Sequence, residues 1–300
     1  MLAPVIVGVD GSAESLAAAE WAAGEAGRRG RALRLVHVRN WTPRSAEGER
    51  TGAVQRHLGR QVLRRAEERV REACPGVRIH DEQQEGPATQ ALLRAAEQAD
   101  VLVLGSRGLS GLTGFLVGSV ALGVVARATR PVVLVRAPAE TPDEHPPARD
   151  GNDPAPTAHG DVVLGIDLDE ACDEVIEFAF EAAGLRGARL RVVHAWQTPS
   201  PLSLGPGEIG LIDETRRAEE WQGFLSAVLQ VWRDKYPEIE VTETVAEGRA
   251  QSVLVRAATG ASLLVVGHRL AERPLGPRTG PVTHAAIRHV GCPVAVVPHD

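Results

Sequence analysis

Three glycines and a serine are the residues of this sequence whose types and spacing most directly suggest ligand chemistry. They are Gly105, Gly108, Gly118 and Ser119, within the segment GSRGLSGLTGFLVGS that follows the apolar run ADVLVL. Glycine lets a ligand approach the backbone closely, and a helix beginning after the segment would offer unpaired N–H groups and a partial positive charge. The pattern predicts a phosphate cradle, to which Ser119 would add a hydroxyl donor. A merely flexible turn is the alternative interpretation.

The same loop lacks the residues that fast phosphate chemistry requires. A Walker A loop ends in Gly-Lys-Ser/Thr, whereas Lys235 is the only lysine of the chain. The segment also does not match the G-x-G-x-x-G fingerprint of a dinucleotide site. None of its polar side chains has an obvious partner base in the sequence, and these are Ser106, Arg107, Ser110, Thr113 and Ser119. The loop therefore favours nucleotide binding without a catalytic residue, and at most slow hydrolysis.

Asp10 is the carboxylate that the sequence places closest to such a ligand, directly after the apolar run VIVGV. Beside a triphosphate it would be repelled, unless it bonds a sugar hydroxyl or helps to hold Mg²⁺. The alternative role is the N-cap of the helix that begins near Ser15, for which Ser12 is a rival. We expect Asp10 to contact the ligand.

An internal repeat divides the chain into two copies of one domain. With a shift of 157 residues, VIVGVDGS from Val5 aligns with VVLGIDLD from Val162, so that Asp10 matches Asp167. Later in each copy the shift becomes 162, and the segment from Glu85 aligns with that from Glu247. We therefore predict a first copy over residues 1–137, a proline-rich linker over 138–159 and a second copy over 160–300.

Short β-branched runs alternate with helical patterns within each copy, as in VIVGVD, SLAAAEWAAGEAGRRG and RLVHV. A helix with one apolar face is predicted from Leu58, Val62, Ala66 and Val70. Alternation of this kind predicts an α/β fold with two doubly wound domains, each with a five-stranded, mainly parallel sheet. Ligands of such sheets bind beyond the strand carboxyl ends where the strand order reverses, so we expect Asp10 and Gly105 to lie there together.

The second copy departs from the glycine pattern. Its matching segment GHRLAERPLGPRTGPV keeps Gly267 and Gly280, but Leu270 replaces the second glycine and Pro281 replaces the serine. Proline at the start of a helix removes an N–H as well as the hydroxyl, so phosphate contacts are weakened. Several residues make this second loop more cationic: His268, Arg269, Arg273 and Arg278. We predict one nucleotide per chain, in the first copy, with Asp167, Gly267 and Gly280 as weaker candidates.

Histidine and cysteine spacing gives no metal or disulfide signature. His37 and His194 recur at the same strand position and predict crevice or core histidines, because no second ligand stands at metal spacing. The cysteines are Cys74, Cys172 and Cys292, an odd number at wide spacing, which favours free thiols. No metal site is therefore predicted from side chains alone.

Length and composition are those of a globular protein of two domains. The chain has 300 residues, 43% of them hydrophobic and 24% charged, and a net charge of −6 that argues against nucleic acid as a partner. No apolar run approaches the roughly 20 residues that span a bilayer. We therefore expect a cytoplasmic protein without a membrane partner.

The two copies together resemble a tandem universal stress protein, on the pattern Gly-x2-Gly-x9-Gly-Ser that the first copy carries from Gly105 to Ser119. The resemblance covers both copies and implies a Rossmann-like fold and an ATP ligand, either alone or with Mg²⁺. It implies that the nucleotide is bound in the first copy by Asp10, Gly11, Ser12, Val38, Gly105, Ser106, Gly108, Gly118, Ser119 and Val120. Val38 would meet the adenine edge through its backbone.

The resemblance further implies a sensor or regulatory module of the stress response whose two domains join through their last strands. These strands, PVVLVR and PVAVVP, would pair the copies as a pseudo-two-fold dimer within one chain, and a homodimer of chains stays open. Two other functions stay open: an ATP-using enzyme on the same fold, and a scaffold that binds a protein partner without a nucleotide. The scaffold would use the segments after the second strand of each copy, which contain Trp41 and Trp196.

Overall fold

The computed structural model describes residues 2–39, 46–106, 118–137, 160–197, 214–270 and 279–299, and side chains from residue 52 in the second range and from 216 in the fifth. The first copy contains β1 (Val5–Gly8), α1 (Ala13–Arg28), β2 (Leu33–Arg39), α2 (Ala46–Ala73), β3 (Ile79–Glu85), α3 (Ala88–Ala96), β4 (Val101–Gly105), α4 (Ser119–Val125) and β5 (Val132–Val135). The second copy contains β6 (Val162–Ile166), α5 (Asp173–Arg186), β7 (Leu190–Trp196), α6 (Glu214–Lys235), β8 (Val241–Glu247), α7 (Ala250–Ala257), β9 (Leu263–Arg269), α8 (Pro281–His289) and β10 (Val294–His299). Strands and helices alternate in both copies, which confirms the predicted α/β class.

Chain contacts divide the molecule into two compact units that differ from the sequence copies at the end of the chain. The first unit contains residues 2–137 with 268–270, 279–280 and 293–299, and the second contains 160–267 and 281–292. The last strand, β10, therefore belongs to the first unit. The predicted linker at 138–159 lies outside the described residues, and the predicted domain boundaries stay predictions.

In the first unit, five parallel strands stand in the order β3-β2-β1-β4-β5. β1 lies between β2 and β4, with Val5 opposite both Leu33 and Val101. Since the strand order reverses at β1, the carboxyl ends of β1 and β4 meet at the predicted ligand crevice. Strand β10 adds to the far side of β5 in the antiparallel sense, with Val294 opposite Leu134. The second unit has parallel strands in the order β9-β6-β7-β8.

The strands are buried on both faces, as expected of a sheet with helices on each side. Successive residues Val5, Ile6 and Val7 are all fully buried, although alternate side chains point to opposite faces. The first helix of each copy ends at a glycine: α1 and α5 are followed by Gly30 and Gly187, which lie in the left-handed region with φ +60° and +57°. Local turn chemistry is therefore repeated between the copies.

The predicted apolar face of α2 is confirmed at Ala66 and Val70, but Val62 is only half-buried and Leu58 is exposed. Leu58 was expected on the apolar face of α2 but is 52% exposed, whereas Leu63, Ala66 and Val70 are buried. Gly59 is buried instead of Leu58, because the face that packs on the sheet runs through residues 59, 63, 66 and 70 at alternating spacings of four and three.

No helix in the described ranges combines the length and apolar composition that crossing a membrane requires.

Candidate functional site

A cavity of about 280 Å³ opens at the carboxyl ends of β1, β2 and β4, entirely within the first unit. We call it the first-copy cavity. Six residues predicted from sequence line it: Asp10, Val38, Gly105, Gly118, Ser119 and Val120. They come from four separate stretches of the chain and are brought together by the strand order. Gly11, Ser12 and Ser106 lie beside the cavity without lining it, and Gly108 lies outside the described residues.

A hydrogen-bonded turn fixes Asp10 at the mouth of α1. Asp10 Oδ1 accepts from the backbone N–H of Ser12 at 3.0 Å and from its hydroxyl at 2.6 Å. Ser12 is the N-cap of α1, and its Oγ accepts from the Ser15 amide at 3.1 Å. Of the two N-cap candidates, Ser12 is therefore the cap, and Asp10 orients its hydroxyl.

Ser15 completes this turn from the inside and lines the cavity, although the sequence pattern singled it out only as the start of the helix. Its buried Oγ accepts from the amides of Gly11 and Asp10 at 3.1 and 3.3 Å and donates to the Ser12 carbonyl at 3.0 Å. Gly11 has a φ of +89°, which favours glycine. The backbone after β1 is thus held by side-chain oxygens of the first helical turn.

Replacing Ser12 by alanine is expected to lower the free energy of unfolding by about 1 kcal/mol, the usual cost of a lost N-cap. The Ser15 amide loses its acceptor, and Asp10 Oδ1 loses the hydroxyl donor. Urea unfolding followed by circular dichroism measures the change. Ser12→Thr keeps the hydroxyl and is the matched control. An alanine variant as stable as the parent would contradict the described cap.

A side chain at position 105 would clash with the backbone of α1. A Cβ atom at this position would stand 2.8 Å from the Glu14 carbonyl carbon and 2.9 Å from the Ser15 nitrogen, both backbone atoms. The end of β4 therefore packs directly against the first turn of α1. This contact brings Asp10 and Gly105 to the same cavity, as the strand order predicts.

The start of α4 forms the polar end of the cavity. Gly118 is the N-cap of α4, with φ −61° and ψ 139°, and its amide donates to the Ser106 carbonyl at 3.0 Å. Ser119 and Val120 follow in the first turn, where backbone N–H groups have no partner within a helix. Ser119 is exposed and lines the cavity. Donors from backbone and side chain are thus available at this end.

The opposite wall is apolar and includes residues that the sequence interpretation missed. Val36 and Val38 of β2, Leu92 of α3 and Leu104 of β4 line it, together with Ala88 at the start of α3. Such a wall suits a flat heterocycle. Gly86, with φ +131°, stands just before α3, and a glycine between a strand and a helix is the signal that could have directed attention to Ala88.

The histidines of the two copies make the same contact. His37 Nδ1 lies 2.8 Å from the Val9 carbonyl oxygen, and His194 Nδ1 lies 3.2 Å from that of Ile166. Because a carbonyl only accepts, Nδ1 carries the proton in both rings. Within the described ranges, no group of three or more His, Cys, Asp or Glu side chains is placed to hold a metal ion.

The second copy does not repeat the turn that holds Asp10. Asp169 and Cys172 stand where the first copy has Ser12 and Ser15. The N-cap Cys172 makes no side-chain capping hydrogen bond, and its thiol donates instead to Glu174 Oε2 at 2.6 Å. Asp167 Oδ1 accepts from the Asp169 amide at 3.2 Å. The carboxylate is retained, but its surroundings differ.

The altered second loop carries less charge than its residues suggest. Burial lowers the pKa of His268, which is 6% exposed, so this ring is neutral at pH 7. Pro281 is the first residue of α8 and supplies no N–H there. Gly267 accepts a hydrogen bond from the Thr283 hydroxyl at 3.4 Å, and a Cβ on Gly280 would meet nothing within 4 Å. Arg273 and Arg278 lie outside the described residues.

Comparison with known proteins agrees with this architecture. Universal stress protein Rv2005c of Mycobacterium tuberculosis is 32% identical over 301 residues, which cover 97% of this chain and 96% of that protein. Universal stress protein Rv1996 of the same organism is 31% identical over 316 residues, covering 99% and 96%. A universal stress protein from Archaeoglobus fulgidus has the same fold over the full length of both chains, with a TM-score of 0.71 and 19% identity. The sequence profile of the universal stress protein family matches residues 1–136 and again 160–298, so this chain belongs to that family and contains two copies of its domain.

Proposed function

We propose that the chain binds ATP in the first-copy cavity and acts as a sensor or regulatory module of the stress response. The observation that carries the proposal is the gathering of Asp10, Val38, Gly105, Gly118 and Ser119 around one cavity. These residues were predicted from the glycine pattern and the family resemblance. Their common location is the crevice where doubly wound sheets bind ligands.

The two ends of the cavity suit different parts of a nucleotide. The apolar wall of Val36, Val38 and Leu92 offers a face for the adenine ring, and the Val38 backbone can pair with its edge. Asp10 can accept from ribose hydroxyls, because its position is fixed by the Ser12 contacts. The start of α4 offers amide N–H groups and the Ser119 hydroxyl to phosphate oxygens.

Regulation, with at most slow hydrolysis, is favoured by the shortage of catalytic groups. Asp10 is the one titratable side chain among the described residues that line the cavity, and its Oδ1 is already used as an acceptor. No lysine exists in the first copy to stabilise charge on a transferred phosphoryl group. Mg²⁺ would be held mainly by the phosphates and water, with Asp10 as the available carboxylate.

We further propose a cytoplasmic protein with one nucleotide per chain and with its two copies paired through their last strands. The antiparallel pairing of β5 with β10, one from each copy, supports such a pairing. The second copy has Pro281 in place of Ser119 and lacks the turn that holds Asp10. It is therefore the weaker nucleotide site.

Calorimetric titration of ATP–Mg²⁺ into the nucleotide-stripped protein tests the proposal, beside Gly118→Ala and Gly280→Ala. Gly118 can accept alanine without backbone strain because its φ is −61°, but the added methyl group intrudes on the phosphate end. We expect one site per chain, weakened at least tenfold by Gly118→Ala and unchanged by Gly280→Ala, the same position in the second copy. Two equal sites, or no binding by the parent chain, would overturn the proposal.

A further inference from the structure

A second cavity, of about 400 Å³, lies within the second unit at the carboxyl ends of β6, β7 and β8. We call it the second-copy cavity. Its lining includes Asp167, Asp169, His194, Trp196, Arg217 and Trp221. None of the described residues of the loop after β9 lines it, so this cavity is not the counterpart of the phosphate end of the first. Its chemistry has to be derived from its own residues.

His194 presents an unsatisfied acceptor. The residue lines the cavity and is only 4% exposed, and its Nε2 is buried without a hydrogen-bond partner. Since Nδ1 donates to the Ile166 carbonyl, Nε2 of the neutral ring carries a lone pair. A buried acceptor without a donor lowers the stability of the fold. A ligand that donates a hydrogen bond would remove this cost.

Two carboxylates stand at the same cavity. Asp167 and Asp169 are joined by a single turn, with the Asp169 amide donating to Asp167 Oδ1 at 3.2 Å. Within the described part of the chain, neither carboxylate has a cationic partner within 4 Å. Arg217 also lines the cavity, so the lining side chains sum to one negative charge. A ligand with one positive charge would make the filled cavity neutral.

Indole rings complete the lining. Trp196 is 7% exposed, and the Trp221 ring lies with its centroid 4.8 Å from that of His194. Indole faces attract cations and pack against flat rings. Both the carboxylates and the indoles therefore favour a cationic ligand with a planar body.

The first copy excludes the same arrangement. Gly59 stands where the second copy has Trp221, and a Cβ at Gly59 would lie 2.8 Å from His37 Cδ2. An indole cannot be placed there without moving His37. Trp221 is thus specific to the second copy, whereas Asp167 stands where the first copy has Asp10.

We propose that the second-copy cavity binds a small planar organic cation of the amidinium class. Asp167 and Asp169 accept from its N–H groups, His194 Nε2 accepts a further N–H, and Trp196 and Trp221 pack against its ring. The nucleotide is proposed to bind in the first-copy cavity, so this proposal concerns a different cavity and does not depend on nucleotide binding.

Benzamidine is the probe, and benzamide, which has the same ring and a similar shape but no charge, is its control. We expect isothermal titration to detect benzamidine at one site per chain and benzamide at least tenfold more weakly. The titration is run without nucleotide, and the Asp169→Asn variant assigns the benzamidine site to the second-copy cavity. Failure of ATP binding would leave this result unaffected.

Variants separate the carboxylate from general charge effects. Asp169→Asn is expected to weaken benzamidine binding at least tenfold, whereas Asp234→Asn, an exposed carboxylate on α6 that does not line the cavity, leaves it unchanged. Trp221→Gly reproduces the first-copy residue and is expected to weaken binding as well, with circular dichroism showing that the fold is kept. Equal binding of benzamide, no benzamidine binding at millimolar concentration, or an unchanged Asp169→Asn titration would overturn the proposal.

Discussion

Replacing Ser119 by proline is expected to lower the affinity for ATP about a hundredfold while the chain stays folded. The substitution removes a backbone N–H and a hydroxyl together, and two hydrogen bonds to a charged group are worth about 3 kcal/mol or more. Proline is compatible with the structure because Ser119 is the first residue of α4 and the preceding Gly118 is extended, with ψ 139°. The second copy already has proline at this position, Pro281.

Ser119→Ala is the matched control, because it removes the hydroxyl and keeps the N–H. We expect it to weaken ATP binding about tenfold, between the parent chain and the proline variant. Calorimetric titration gives the three affinities, and circular dichroism verifies the helix content. Equal affinities of the proline variant and the parent would mean that the start of α4 does not hold phosphate.

Replacing Gly105 by alanine is expected to lower the free energy of unfolding of the first unit by about 1–3 kcal/mol, the cost of overpacking a core. The new Cβ would stand 2.8 Å from the Glu14 carbonyl carbon and 2.9 Å from the Ser15 nitrogen. Both are backbone atoms of the first turn of α1, so a side-chain rotation cannot relieve the clash. Urea unfolding followed by circular dichroism measures the loss.

Gly291→Ala is the control for this experiment, since a Cβ at Gly291 would meet nothing within 4 Å. We expect the free energy of unfolding of this variant to stay within about 0.5 kcal/mol of the parent value, as for most exposed substitutions. The Gly105 variant is also expected to bind ATP more weakly, because a displaced α1 carries Asp10 with it. Unchanged stability of Gly105→Ala would show that β4 and α1 approach less closely than described.

Much of the fold follows from periodicity and repetition alone. Three features are local: the alternation of β-branched runs with helical patterns, the repeat that aligns Asp10 with Asp167, and the glycines after α1 and α5. Local features can be recognised in the sequence without knowing which segments pack together. The common contact of His37 and His194 also follows, because the same strand position recurs. The strand order then placed Asp10 beside Gly105 as predicted.

Features that depend on packing between distant segments were not predictable. The sequence pattern predicts that Gly105 lacks a side chain because a ligand lies there. The structure adds a second reason, since the backbone of α1 already occupies the space of a side chain. Leu58 fits a helical repeat but faces solvent, since the packed face is set by which side of α2 meets the sheet. Leu92 and Ser15 line the cavity for the same reason, and no motif marked them as ligand residues.

The pairing of β5 with β10 has a consequence for how the chain is made. Val294 of the partner strand is synthesised about 160 residues after Leu134, the residue that it faces. At the usual rate of about 5–20 residues per second, the apolar edge of β5 stays uncovered for roughly 10–30 s. Such an edge is a template for pairing with other chains. Strand β10 covers this edge only after the second copy has been made, and we expect nascent chains that stall within the second copy to aggregate.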